Sequence, residues 1–217
     1  MNKDILICGV GGQGTVLASR IIAAAAMETG DKVCSAETIG MAQRGGSVTS
    51  HVRIGEEAYS PLIPFGSADL MLAFEPAEAV RNLKYLKKNG TAVVNSAPVK
   101  PVTEALNETG YDGKEMTEYL KDTVDCIFVD SDEVMNRFGS AKYLNIVILG
   151  AALGARALGI DRDTVTGQIR KRVKPAYLEA NLEALRFGCE LGSAAKRSEK
   201  SAGADCSDDP AAALYIR

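Results

Sequence analysis

The chain has 217 residues, 46% of them hydrophobic and 24% charged, enough apolar material for one large folded domain, and bulk disorder is excluded. Asp and Glu (28) outnumber Lys and Arg (25) for a formal net charge of -3, so no cationic surplus exists to neutralise a nucleic-acid backbone. Five cysteines, Cys8, Cys34, Cys126, Cys189 and Cys206, are an odd number spread too widely for a C-x-x-C pair. That spacing argues against a disulfide framework or an iron–sulfur cluster held by this chain, and for reduced structural thiols.

Met1-Asn2-Lys3-Asp4 leads straight into Ile5-Leu6-Ile7-Cys8 without the zones of a signal or transit peptide, so a cytoplasmic protein is expected. The apolar run reads as a strand covered on both faces, and it ends at Gly9-Val10-Gly11-Gly12-Gln13-Gly14. A helix follows, with Leu17, Ile21 and Ala24 or Ala25 on one face and Gly30 as its C-terminal cap, before a second strand from Lys32 to Glu37. Val48 to Ile54 with Ala58-Tyr59 alternates like a half-exposed hairpin. Leu70 to Phe74, Ala92 to Asn95 and Cys126 to Val129 have strand length, and a helix from Glu75-Pro76 through Lys88 is expected between the first two, closed by Asn89-Gly90.

From Asn145 the pattern is helical: a buried helix to about Leu158, too short to span a bilayer, then Asp161 to Lys174, then Ala176 to Leu191 after Pro175. Ser193 to Asp209 lacks apolar periodicity and reads as a mobile tail. The expected fold is therefore α/β: a Rossmann-like, doubly wound, mostly parallel sheet with a β-hairpin insertion and C-terminal helices. It divides into a domain over 1–191 and a polar tail over 192–217.

Gly9-x-Gly11-x-x-Gly14 lies between a strand and a helix, where glycines permit a tight turn and free N–H groups at the helix start can face a phosphate. The alternative is a turn whose glycines only let helix and sheet touch. Glu37, at the end of the second strand, stands where an acidic residue would bond a ribose hydroxyl in an NAD-binding fold. Arg44-Gly45-Gly46-Ser47 sets a guanidinium beside two free backbone positions and a hydroxyl, able to converge on a carboxylate or phosphate or simply to form a turn. His51, the only histidine, has no metal-ligand spacing around it and reads as structural or solvated rather than catalytic. No nucleophilic triad can be built on it.

Gly9-Val10-Gly11-Gly12-Gln13-Gly14, followed by Gln43-Arg44-Gly45-Gly46-Ser47 and a strand ending Val52-Arg53-Ile54, resembles the gamma-type domain of the 2-oxoacid:ferredoxin oxidoreductases. The resemblance covers roughly Met1 to Leu191. Gly40-Met41-Ala42 with Gln43-Arg44-Gly45-Gly46-Ser47, Tyr59-Ser60-Pro61-Leu62-Ile63-Pro64 and Leu72-Ala73-Phe74-Glu75-Pro76 are most similar to the small beta subunits of the indolepyruvate branch. The Tyr-Gly-Pro-Glu stretch of the pyruvate branch is missing.

The resemblance implies oxidative decarboxylation of arylpyruvates to aryl-acetyl-CoA with reduction of ferredoxin, coenzyme A being a co-substrate. The chain has no Cys-rich cluster motif, and Tyr111-Asp112-Gly113 lacks the first glycine of a Gly-Asp-Gly site for thiamine diphosphate and magnesium. Thiamine diphosphate, magnesium and iron–sulfur clusters are therefore expected on a larger alpha subunit, the partner in a heterodimer or its dimer. No catalytic or metal-binding residue is assigned to this chain, which would be inactive alone. The expected ligand-binding residues are Gly9, Gly11, Gly12, Gln13, Gly14, Gln43, Arg44, Gly45, Gly46 and Ser47, at the carboxyl ends of the strands. A free-standing NAD(P)-dependent oxidoreductase using Gly9, Gly11, Gly14 and Glu37, or a non-catalytic nucleotide-binding module, are the competing readings. Neither nucleic acid nor membrane is expected as a partner.

Overall fold

Side chains alternate along a strand, so Ile5 and Ile7 enter one apolar cluster and Leu6 and Cys8 another, and all four are buried. The continuous apolar run of β1 (Lys3–Val10) follows from helices covering both faces of the sheet. The computed structural model describes residues 1–39, 45–99 and 110–205, with residues 39 and 198–205 described for backbone only. The other strands are β2 (Val33–Ile39), β3 (Ser47–Ile54), β4 (Ala68–Ala73), β5 (Leu86–Asn95) and β6 (Asp125–Val129). Their order is β2-β3-β1-β4-β5-β6, parallel from β1 to β6 and antiparallel on both sides of β3. The doubly wound, mostly parallel sheet expected from the sequence is present.

Helix α1 (Thr15–Glu28) buries Ala18, Ile21, Ile22, Ala25 and Ala26, the 3–4 spacing of one helical face. It shares the first cluster with α4 (Ser131–Phe138), α5 (Leu144–Gly154), α6 (Arg162–Arg172) and α7 (Pro175–Asp205), while α2 (Pro76–Asn82) and α3 (Lys114–Thr123) contribute to the second. Helix α5 is apolar all round because it lies between the sheet and α7. Glycines make that contact possible: a Cβ on Gly188 would overlap the Val147 carbonyl, and one on Gly154 the Cys189 carbonyl.

Several elements differ from expectation. The segment Val48 to Ile54 is strand β3, buried at most positions rather than half exposed, and its antiparallel partners are β2 and β1 rather than Ala58-Tyr59, which is not a strand. Its polar positions are covered by the loop that follows. His51 Nδ1 accepts from the Ile63 N–H at 3.2 Å, and Arg53 pairs with Asp4 at 2.9 Å. Helix α2 stops at Asn82 and a single 3-10 turn leads into β5 at Leu86. Lys87, Lys88 and Asn89-Gly90 form a bulge, since the β4–β5 register jumps from Ala68↔Leu86 to Leu70↔Thr91. Helices α3 and α4 went unanticipated because each buries only one side chain, Leu120 and Val134.

Helix α7 continues beyond Leu191 into the stretch read as a mobile tail, and its backbone is helical to Asp205. Ala194-Ala195-Lys196-Arg197 has high helix propensity. Two bonds hold it down: Ser193 Oγ to the Gly154 carbonyl at 3.2 Å, and Lys196 Nζ to Asp125 Oδ2 at 2.7 Å.

Candidate functional site

The two glycine motifs meet through their backbones at the carboxyl end of β1. The β1–β3 ladder pairs Val10 with Ser47, and beyond it Gly11 N–H donates to the Gly46 carbonyl at 2.8 Å and Gly45 N–H to the Gly11 carbonyl at 3.5 Å. Gln43 and Arg44, with Gly40, Met41 and Ala42, lie outside the described residues.

Part of the expected ligand set is engaged within the fold. Gln13 Oε1 accepts from Val10 N–H at 2.7 Å and Gln13 Nε2 donates to the Phe74 carbonyl at 2.8 Å, so this amide braces the loop against the end of β4. Gly9 makes room for the brace, because a Cβ there would lie 2.8 Å from both Gln13 Oε1 and Phe74 Cβ. Asn95 Nδ2 donates to the same Phe74 carbonyl at 3.1 Å and to the Ala97 carbonyl at 2.8 Å. Ser47 Oγ donates to Glu78 Oε2 at 2.6 Å, and Glu78 Oε1 in turn meets Arg81.

Gly12 and Gly14 face a different environment. With Gln13 they line a cleft of about 280 Å³ that is closed by Asn95, Pro98, Ser131, Lys142 and Asn145. Gly14 is the N-cap of α1 at φ +86°, a left-handed conformation that disfavours any side chain. Asn145 lies against it, since a Cβ on Gly14 would come within 2.5 Å of Asn145 Nδ2. Neither α1 nor α5 has a side-chain cap or an acidic residue in its first turn. Asn145 Oδ1 accepts from the adjoining Ile146 N–H at 2.8 Å.

The start of α1, carrying roughly half a positive charge, thus borders the cleft with the exposed Lys142 on its rim. Lys142 and Asn145 also line a neighbouring recess of about 400 Å³ with Leu17, Tyr143, Arg172, Tyr177 and Asn181. The arrangement suits a carboxylate or phosphate.

A second polar network lies beside the first. Glu75 caps α2, Oε2 accepting from Glu78 N–H at 2.9 Å and Oε1 from the Tyr111 hydroxyl at 2.6 Å. Burial pushes the Glu75 carboxyl above the ordinary carboxylate range, pushes the Tyr111 phenol up, and does the same to the Cys8 thiol. Among the described residues no three of His, Cys, Asp and Glu come together to hold a metal ion. His51 is buried, edge-on to Tyr85 at 5.4 Å, and burial lowers its pKa.

Glu37 is not placed as in a dinucleotide fold. It accepts from Ser19 Oγ at 3.2 Å and lies 3.9 Å from Arg20 Nε. Because β3 separates β2 from β1, Glu37 is two strand spacings, about 9–10 Å, from the strand that carries the glycine loop. Sequence reading missed Asn95, Lys142 and Asn145. A single amide closing the strand Ala92-Val93-Val94-Asn95, and another opening the apolar helix at Leu144, were the available signals.

Residues 4–191 match the family described as pyruvate ferredoxin/flavodoxin oxidoreductase. The chain is 40% identical over 190 residues to the indolepyruvate oxidoreductase subunit IorB of Archaeoglobus fulgidus, covering 87% of this chain and 94% of that one. Its fold is similar to a pyruvate oxidoreductase subunit from Thermotoga maritima, with TM-score 0.62 and 25% identity over 87% of this chain and 96% of that one. It is also similar in fold to the 2-oxoglutarate:ferredoxin oxidoreductase of Magnetococcus marinus, with TM-score 0.61 and 20% identity. That match covers 92% of this chain and 31% of the longer one.

Proposed function

The chain belongs to the pyruvate ferredoxin/flavodoxin oxidoreductase family, and from that premise we propose that it is the small subunit of an indolepyruvate:ferredoxin oxidoreductase. The complex would decarboxylate arylpyruvates oxidatively, pass the electrons to ferredoxin and form aryl-acetyl-CoA. The observation that carries this reading is the 40% identity spanning nearly the whole of both chains, to a protein bearing that subunit's name. The NAD-dependent alternative is disfavoured by the strand that stands between Glu37 and the glycine loop.

On this reading thiamine diphosphate, magnesium and iron–sulfur clusters belong to a larger cytoplasmic partner, and the domain over 1–191 supplies binding surface. No helix among the described residues is long and apolar enough to cross a membrane. The N–H groups at the start of α1, the Asn145 amide and Lys142 would hold an anionic group, either a coenzyme A phosphate or the carboxylate of the 2-oxo acid. Arg44, which precedes Gly45 in sequence, would add a guanidinium to the same group.

The test is reconstitution with the larger subunit and measurement of indolepyruvate-dependent ferredoxin reduction. The full complex should turn over while the small chain alone does not. Lys142→Ala and Arg44→Ala should each raise KM for coenzyme A or the 2-oxo acid by about tenfold, the loss of one charge-assisted hydrogen bond. Unchanged KM values for both substrates in both variants would remove the site assignment.

A further inference from the structure

The loop between β3 and β4 carries the Tyr59-Ser60-Pro61-Leu62-Ile63-Pro64 motif, and the anion-binding reading makes no use of it. Three of its large apolar side chains point into solvent: Tyr59 is 85% exposed, Leu62 56% and Phe65 67%. The loop is nonetheless firmly built. Arg53 Nη1 donates to the Ser60 carbonyl at 3.2 Å, and the buried His51 accepts from Ile63 N–H. Cys34 Sγ donates to the Ala58 carbonyl at 3.0 Å, and Gly66 N–H to the Lys84 carbonyl at 2.9 Å. Ile63 is the anchor, buried in the second apolar cluster.

The Phe65 ring lies 4.9 Å from that of Tyr85, yet most of the surface of all three side chains is left in water, where burial would lower the free energy. Two lysines lie over the loop's aromatic rings. Lys32 Nζ lies 4.8 Å from the centre of the Tyr59 ring and Lys84 Nζ 5.1 Å from that of Phe65, and neither lysine is within ion-pair distance of a carboxylate among the described residues. Aromatic anchors in a polar rim, pre-organised so that little entropy is lost on docking, are the features of a binding hot spot. The three side chains offer on the order of 400 Å², about half of what one partner contributes to an interface of standard size.

We propose that Tyr59, Leu62 and Phe65 dock this chain onto its larger partner subunit, in an apolar recess rimmed by carboxylates that meet Lys32 and Lys84. The inference rests on the subunit reading above. The loop follows the carboxyl end of β3, which runs antiparallel to β1, so it sits at the amino end of β1, away from the glycine-loop cleft. Docking there would leave the anion cleft open to the reaction.

The experiment measures the affinity of the full-length chain for the larger subunit, with the triple variant Tyr59→Ala/Leu62→Ala/Phe65→Ala, the charge reversal Lys32→Glu/Lys84→Glu, and a control, Met27→Ala/Met135→Ala, that trims exposed methionines elsewhere. Thermal melts establish that each variant is folded. The triple variant should bind at least 100-fold more weakly, the charge reversal should bind more weakly with a flatter salt dependence, and the control should match wild type. Equal affinity of the triple variant and wild type would overturn the proposal. So would loss of self-association with the heteromer intact, which would make the patch a contact between copies. If the wild-type chain pairs with no larger subunit, the subunit reading falls and this proposal with it.

Discussion

Replacing Gly14 by alanine tests the construction of the anion cleft directly. At φ +86° an L-residue costs roughly 1–2 kcal/mol, and the new methyl would sit 2.5 Å from Asn145 Nδ2 and 3.2 Å from Asn145 Cγ. Asn145 is buried at the start of α5, so it yields little and overpacking adds about 1–3 kcal/mol. The sum, about 2–5 kcal/mol, corresponds to a fall in Tm of about 5–15 °C for a chain of this size. Gly12 is the control: its φ is +103°, yet a Cβ there would meet nothing within 4 Å. Gly12→Ala should therefore show strain alone, about 1–2 kcal/mol. The assay is calorimetric unfolding of both variants, of Asn145→Ala, and of the double variant Gly14→Ala/Asn145→Ala. The double variant should be more stable than the two single losses predict, by at least about 1 kcal/mol. If Gly14→Ala costs no more than Gly12→Ala, and removing Asn145 relieves nothing, the contact between the α1 and α5 starts is not what shapes this cleft.

Gly188→Ala should destabilise by about 3 kcal/mol, because its methyl would overlap the Val147 carbonyl across the α5–α7 contact, whereas Gly167→Ala, in open space on α6, should stabilise by about 0.5–1 kcal/mol; denaturant midpoints distinguish the two signs. Burial raises the Glu75 carboxyl from its ordinary 4.5, so the stability it contributes is full below that pH and is lost as pH rises through its raised native value. Urea midpoints should show Glu75→Gln losing this downward slope above pH 4.5, whatever its absolute stability; an unchanged slope would mean that Glu75 titrates as in the unfolded chain. Burial pushes Cys126 up to about 12 and raises the Cys8 and Cys189 thiols as well. Of Cys8, Cys34, Cys126 and Cys189, the half-buried Cys34 should thus alkylate first in the native protein, as read by peptide mass mapping.

The legible part of this fold is what apolar periodicity encodes. Ile5 to Cys8 signals a strand with two covered faces by lacking any alternation, and Ile146 to Ala152 signals a helix with no exposed face in the same way. The failures occur where a local pattern has two tertiary outcomes. Thr49, His51 and Arg53 alternate as in a solvent-facing strand, but the loop beyond β3 folds over that face and supplies an N–H for His51, while Asp4 supplies a carboxylate for Arg53. Lys87, Lys88, Asn89 and Gly90 would close a helix equally well, and only the register of β4 against β5 makes them a bulge. The site follows the same logic. Glycine spacing located the loop, but which donors face inward depends on Phe74 and Gly46, remote in sequence.

That inward bookkeeping separates scaffold from site. Val10 N–H goes to Gln13, Gly11 N–H to Gly46, Gln13 Nε2 to Phe74 and Ser47 Oγ to Glu78, so four polar groups in or beside the two motifs are already bonded. These bonds tie the glycine loop to the Gly45-Gly46 turn and the end of β4, and the start of β3 to α2. What they leave pointing outward is the uncapped start of α1, the Asn145 amide and Lys142 around a cleft of about 280 Å³. Such a cleft is large enough for an anionic group and too small for a coenzyme, whose body would extend into the neighbouring recess or onto another protein surface. On the subunit reading this chain would pre-organise charge to fix one end of the substrate, leaving the reacting end to the cofactors of the larger partner.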